Sequence, residues 1–145
     1  MTNFEGVYKN SAPIIVRAND LDFLGHVTNP VYQVYFLEGL VNYGHYVLGV
    51  TGFPPDATWV MATNTIEYLS PILPTSSVKV ETRVIALGKK SFKLQQQIVN
   101  LVSGEIHARC VCTLVCFSGA DQKSVLIPDK WRQRIMAHDV GVELT

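Results

Sequence analysis

The chain has 145 residues, 48% of them apolar and only 17% charged, and its twelve basic residues balance twelve acidic ones. That length suits one domain with a substantial core. Zero net charge, with no basic run beyond Lys89-Lys90, argues against a surface that tracks long nucleic acid.

So apolar a composition in a short chain suggests that some apolar surface is buried between subunits. The N-terminus, MTNFEGVYKN, has no basic region leading into an apolar core and does not read as a signal peptide. No segment reaches the roughly 18 apolar residues of a membrane span. Ser11–Ala18 reads as a short strand. NDLDFLGHVTNP, Asn19 to Pro30, then crowds two acids, a glycine, a histidine and an Asn-Pro pair into one turn. From Pro30 to Leu48 the spacing predicts a helix, with Pro30 at its first position and Asn29 as its cap. This helix is apolar almost all round, apart from a strip formed by Glu38, Asn42 and His45. So greasy a helix must be wrapped by other structure.

Gly49–Pro55 reads as a turn. Four β-type segments follow, at Thr58–Leu69, Ser77–Leu87, Ser91–Val102 and Glu105–Phe117. The breaks at Gly88-Lys89-Lys90 and Ser103-Gly104 are short enough for hairpins, which makes the strands they join antiparallel neighbours. Cys110, Cys112 and Cys116 share one face of the last strand and read as small buried hydrophobes in a reducing cytoplasm. Their odd number and single segment do not suit a metal site. DKWRQRIMAH, from Asp129, reads as a short helix before a loose tail. With no repeat or linker, residues 1–145 are expected to form one domain, of α+β class, whose long antiparallel sheet curls around one helix.

Asp22-x-x-Gly25-His26-Val27-x-Asn29-x-x-Tyr32-x-x-Tyr35-Phe36-x-Glu38 resembles the signature of the hotdog-fold acyl-CoA thioesterases, most closely the 4-hydroxybenzoyl-CoA thioesterase branch. Ile66-Glu67-Tyr68-Leu69-Ser70-Pro71 and Gly88-Lys89-Lys90-Ser91-Phe92 continue the resemblance, which covers about residues 12 to 131. It implies a five-stranded sheet wrapped around a helix and paired edge to edge into a homodimer, often within a homotetramer. It implies an acyl-CoA substrate with no metal or redox cofactor, while charge balance and the lack of a long apolar span argue against nucleic-acid and membrane partners.

By the same resemblance Asp22 is the nucleophile or the base that activates water, and the backbone N–H of Asn29 polarises the thioester carbonyl. A helix start suits that work, because its first N–H groups are free and its dipole is positive there. The plain alternative is that Asp22 caps a turn, since Asp-x-x-Gly is ordinary turn chemistry in which Gly25 supplies the bend. Asp20 is expected to be a solvated loop acid, and His26 a wall or helper group. Glu38 reads either as a contact to the catalytic loop or partner subunit, or as a solvated, salt-bridged residue. Lys89, Lys90 and Ser91 occupy a hairpin turn, where charged residues are expected anyway; in related enzymes that turn meets coenzyme A phosphates.

Two rival functions remain. A hotdog dehydratase or hydratase would carry a histidine before a Phe-Pro-Gly turn, or an Asp-x-Asn-Pro-x-His run. Neither is present, and Gly52-Phe53-Pro54 has the composition without the order. A non-catalytic acyl-CoA-binding module is the second rival.

Overall fold

A computed structural model describes residues 3–52 and 56–145. Phe53 to Pro55, the end of the expected Gly49–Pro55 turn, lie outside the described residues. Four long strands and a short one build one sheet: β1 (Asn10–Ile14), the short one, β2 (Thr58–Tyr68), β3 (Val78–Leu87), β4 (Ser91–Asn100) and β5 (Ile106–Ser118). They lie in the order β1-β3-β4-β5-β2, all antiparallel to their neighbours. Two short pieces extend it, β6 (Lys123–Ser124) on β5 and β7 (Glu143–Leu144), parallel, on β3. This is the hotdog arrangement, a curled sheet holding one main helix.

That helix, α1 (Asn29–Tyr46), packs Tyr32, Tyr35, Phe36, Leu40 and Tyr43 into the core. Their spacing of three and four residues sets them on one side of the helix. They meet Val80, Leu94, Ile98, Cys112 and Leu114 from the inner face of the sheet. Burying a side chain such as Phe36 stabilises the fold by about 1.5–3 kcal/mol. Gly39 is needed for the close approach, because a Cβ there would stand 2.4 Å from Val80 Cγ1 and 2.9 Å from Gln96 Nε2. Gln96 is buried as well, and its amide donates to the Phe36 carbonyl at 2.9 Å and to Thr82 Oγ1 at 3.0 Å. The three cysteines are buried on the inner face and unpaired.

The helix is not wrapped all round within one chain. Val34, Leu37 and Val41 stand exposed on its far side, because the sheet covers only one face. β1 and β2 are the two edges of the sheet, and on β2 Val60, Met61 and Tyr68 are exposed too.

Residues 3–8 cross the outer face of the sheet. The Arg83 guanidinium donates to the Glu5 carbonyl at 2.9 Å and stacks 4.6 Å from the Tyr8 ring, while Gln95 Nε2 donates to the Asn3 carbonyl at 2.6 Å. These contacts explain why Arg83 and Gln95 are buried although their strand positions point outward.

α2 (Asp129–His138) forms as the sequence predicts. The tail beyond it does not hang loose. Asp139 Oδ2 accepts from the Tyr43 hydroxyl at 2.6 Å and from the Val84 N–H at 2.9 Å, and β7 pairs with Ala86 and Leu87. The buried carboxylate needs these donors, and they hold the tail down.

Among the described residues, no helix is long and apolar enough to cross a membrane.

Candidate active site

The loop between β1 and α1 is built around Asp22. Its Oδ1 accepts from the Leu24 N–H at 2.9 Å and the His26 N–H at 3.3 Å, and its backbone N–H donates to the His26 carbonyl at 2.8 Å. Gly25 adopts a φ of +81°, a left-handed conformation that a side chain would disfavour. Nothing crowds its missing Cβ, so glycine stands here for the bend and not for space. The turn-capping reading of Asp22 therefore describes a real set of bonds. It occupies only one carboxylate oxygen: among the described residues, Oδ2 makes no hydrogen bond.

Asn29 is the first helical residue and not the cap. Thr28, extended at φ −70° and ψ 144°, takes that place, and Pro30 becomes the second helical residue. Thr28 makes no side-chain capping bond, and Pro30 has no N–H to give. Val31 N–H folds back to the Thr28 carbonyl at 2.9 Å. Among the described residues the Asn29 N–H makes no hydrogen bond, and it stands at the positive end of the helix.

Asp22, His26 and Asn29 share one open cleft of about 260 Å3 with Tyr32, Tyr68, Ser70 and Pro71. Tyr32 anchors the cleft by accepting from the Ile72 N–H at 3.2 Å, and the Tyr68 ring meets it edge-on at 5.1 Å. Burial pushes the Tyr32 phenol up, opposed by the Ile72 bond, and the neighbouring Tyr68 and Asp22 charges add to the rise. The neutral phenol therefore stays a hydrogen-bonding group there.

Other expected site residues lie elsewhere. Glu38 is exposed and pairs with Arg17 at 3.6 Å, away from the cleft. Lys89 and Lys90 are exposed in the β3–β4 hairpin, and Ser91 begins β4. That hairpin sits at the other end of the sheet, since the Lys90 carbonyl accepts from the Cys116 N–H whereas Tyr68 pairs with Ala108. The separation along β5 is about 27 Å at about 3.4 Å per residue. One chain does not bring the hairpin to Asp22.

Asp20 is not a solvated acid. It is buried and accepts from the Tyr35 hydroxyl at 2.6 Å and the Arg17 N–H at 2.9 Å. Its place inside the 3-10 turn Ala18–Asp20 aims it at α1, which spacing from Asp22 alone does not reveal. Tyr32, Tyr68, Ser70 and Pro71 belong to the resembling motifs, but as cleft walls they were not singled out by the sequence. His107, behind that wall, left no signal beyond a polar residue in an apolar strand. Among the described residues, no group of three or more histidine, cysteine or acidic side chains is placed to hold a metal ion.

The thioesterase-like superfamily model matches residues 16–135. A thioesterase from Thermus thermophilus, solved with coenzyme A and zinc, is 28% identical, with a TM-score of 0.77 over 90% of this chain and 93% of that one. A thioesterase superfamily structure from Jannaschia sp. CCS1 aligns with a TM-score of 0.85 over 95% of this chain and 97% of the other, at 20% identity. A 1,4-dihydroxy-2-naphthoyl-CoA thioesterase from Synechocystis shares the fold at 16% identity, with a TM-score of 0.74 over 88% and 95% of the two chains. No curated protein matches the chain. With 16–135 matched, and with the helix start and acid-bearing loop in one cleft, the chain belongs to the thioesterase-like superfamily.

Proposed function

We propose that this protein is an acyl-CoA thioesterase, converting an acyl-CoA and water into a carboxylic acid and free coenzyme A. The observation that carries the reading is that Asp22 Oδ2 and the Asn29 N–H, both without a hydrogen-bond partner among the described residues, share one cleft. In the base form of the mechanism, Asp22 takes a proton from water as the water oxygen attacks the thioester carbonyl carbon. The carbonyl oxygen gains the negative charge, which the Asn29 N–H and helix dipole stabilise. Collapse breaks the carbon–sulfur bond, and the thiolate leaves to be protonated. In the nucleophile form, Asp22 attacks first and water then cleaves the mixed anhydride. Single turnover in oxygen-18 water tests the nucleophile form: label in the Asp22 carboxylate requires the anhydride, with water attacking its Asp22 carbonyl carbon.

The working unit is a dimer or a larger assembly. A 260 Å3 cleft is small beside the roughly 300–1,000 Å3 of ordinary ligand pockets. The open β2 edge and the exposed Val34, Leu37 and Val41 offer a second copy the surface it needs. Antiparallel pairing of β2 with its copy sets the Thr58 end of one strand beside the Tyr68 end of the other. The partner's Lys89–Ser91 hairpin then lies at the same end of the joined sheet as Asp22, which supports its role with coenzyme A phosphates.

Thiol release measured across short, long-chain and aromatic acyl-CoAs tests the reading. No turnover of any of them by the pure protein refutes it and favours the acyl-CoA-binding module.

A further inference from the structure

β5 breaks its regular pairing at His107. Ile98 pairs with Ala108 and Val99 with Ile106, so His107 faces no residue of β4. A bulge of this kind re-aims a side chain, and here the ring lies buried behind the Leu69-Ser70-Pro71 wall of the cleft.

The His107 carbonyl accepts from the Leu69 N–H at 2.9 Å and the Ser70 N–H at 3.1 Å. Ring Nδ1 stands 3.3 Å from the Ser70 carbonyl, and ring Nε2 stands 3.3 Å from Asn100 Nδ2. A carbonyl only accepts, so Nδ1 carries the proton. Asn100 Oδ1 already accepts from the Val102 N–H at 2.9 Å and the Ser103 N–H at 3.1 Å, which turns the amide nitrogen toward the ring. Asn100 Nδ2 therefore donates to a bare Nε2. Both ends select the same neutral tautomer. Ser70 Oγ adds a bond to Glu105 Oε1 at 2.5 Å, which ties the wall to the β4–β5 turn as well.

We propose that His107, in its Nδ1-protonated form, is a positioning residue that sets the Ser70–Pro71 wall and so the fit of the acyl-CoA. The proposal rests on the thioesterase reading of the cleft. Two substitutions separate the ring ends, because an asparagine amide reaches the Nδ1 position and a glutamine amide the Nε2 position. His107→Asn keeps a donor for Ser70 and loses the Asn100 bond; His107→Gln does the reverse. Each variant loses one buried bond, so both lower Tm alike.

His107→Gln is expected to raise KM for a hydrolysed acyl-CoA about tenfold with kcat little changed, while His107→Asn leaves KM near that of the unsubstituted protein. Equal KM values in the two variants, or a change confined to Tm, overturn the proposal. If the unsubstituted protein turns over no acyl-CoA, the thioesterase reading fails, and the same contrast is read in Kd for a non-hydrolysable thioether analogue. Should either variant not fold, the side-chain nitrogen-15 spectrum of the unsubstituted protein decides. A protonated Nδ1 with bare Nε2 at neutral pH supports the proposal, and the opposite tautomer or a doubly protonated ring overturns it.

Discussion

The Tyr35 hydroxyl donates a 2.6 Å hydrogen bond to Asp20, tying α1 to the turn that carries Asp22 two residues later. Burial pushes the Asp20 carboxyl up, but the bonds from Tyr35 and the Arg17 N–H, with the Arg17 charge, outweigh it and hold the group below its ordinary range. A carboxyl depressed on folding adds stability above its unfolded value of about 3.9 and loses it as pH falls through the folded value. Tyr35→Phe is expected to move the acid-unfolding midpoint upward and to cost about 1–3 kcal/mol at neutral pH. Circular dichroism across an acid titration checks this, and an unmoved midpoint refutes it.

Asp22 and Asp20 differ in what they do. Asp22→Asn is expected to lower turnover at least about a hundredfold with the fold intact, the usual cost of losing a group that moves a proton. Asp20→Asn is expected to keep turnover while lowering Tm, since it sits among structural donors. Thiol release and thermal melts on both variants decide, and two similar rates refute the assignment.

Leu37→Glu with Val41→Glu places two charges on the exposed apolar side of α1. If that side and the β2 edge meet a second copy, the variant is expected to run as a monomer in light scattering and to lose activity. A stable, active monomer of the unsubstituted protein at micromolar concentration defeats the shared-site reading.

Lys89→Glu with Lys90→Glu is expected to raise KM for acyl-CoA with little change in kcat. The effect shrinks with salt, because exposed charges are screened over about 8–10 Å at physiological ionic strength. It vanishes for a pantetheine thioester, which has no nucleotide phosphates. Mixed dimers locate the hairpin's action. Pairing this variant with Asp22→Asn restores one intact site if the hairpin serves the partner's Asp22, and none if it serves its own. Equal loss on the truncated substrate shows instead that the lysines only hold the hairpin.

Much of the fold was legible because its elements are long and their punctuation is strong. The hairpins at Gly88–Lys90 and near Gly104, and α2 from Asp129, lie where residue pattern puts them. The ends of β1 and α1 shift because local bonds choose between neighbouring residues: Thr28 adopts the extended cap, and Arg17 leads into a 3-10 turn. The site was legible as far as the loop motif reaches. Asp20 and His107 were not, because each owes its environment to residues distant in sequence. Tyr35 lies 15 residues from Asp20, and Ser70 lies 37 from His107. The bulge that turns His107 is a property of pairing between strands, not of either strand alone.

Asp139 reaches back across 96 residues to Tyr43 and across 55 to Val84. Contacts that distant close large loops, and the entropy of closing them is met only after the nearer strands have paired. On a ribosome, α1 and β3 emerge well before Asp139 does. The tail thus works as a late fastener, joining a helix and a strand that must already be in place. Asp139→Ala should therefore speed unfolding far more than it slows refolding.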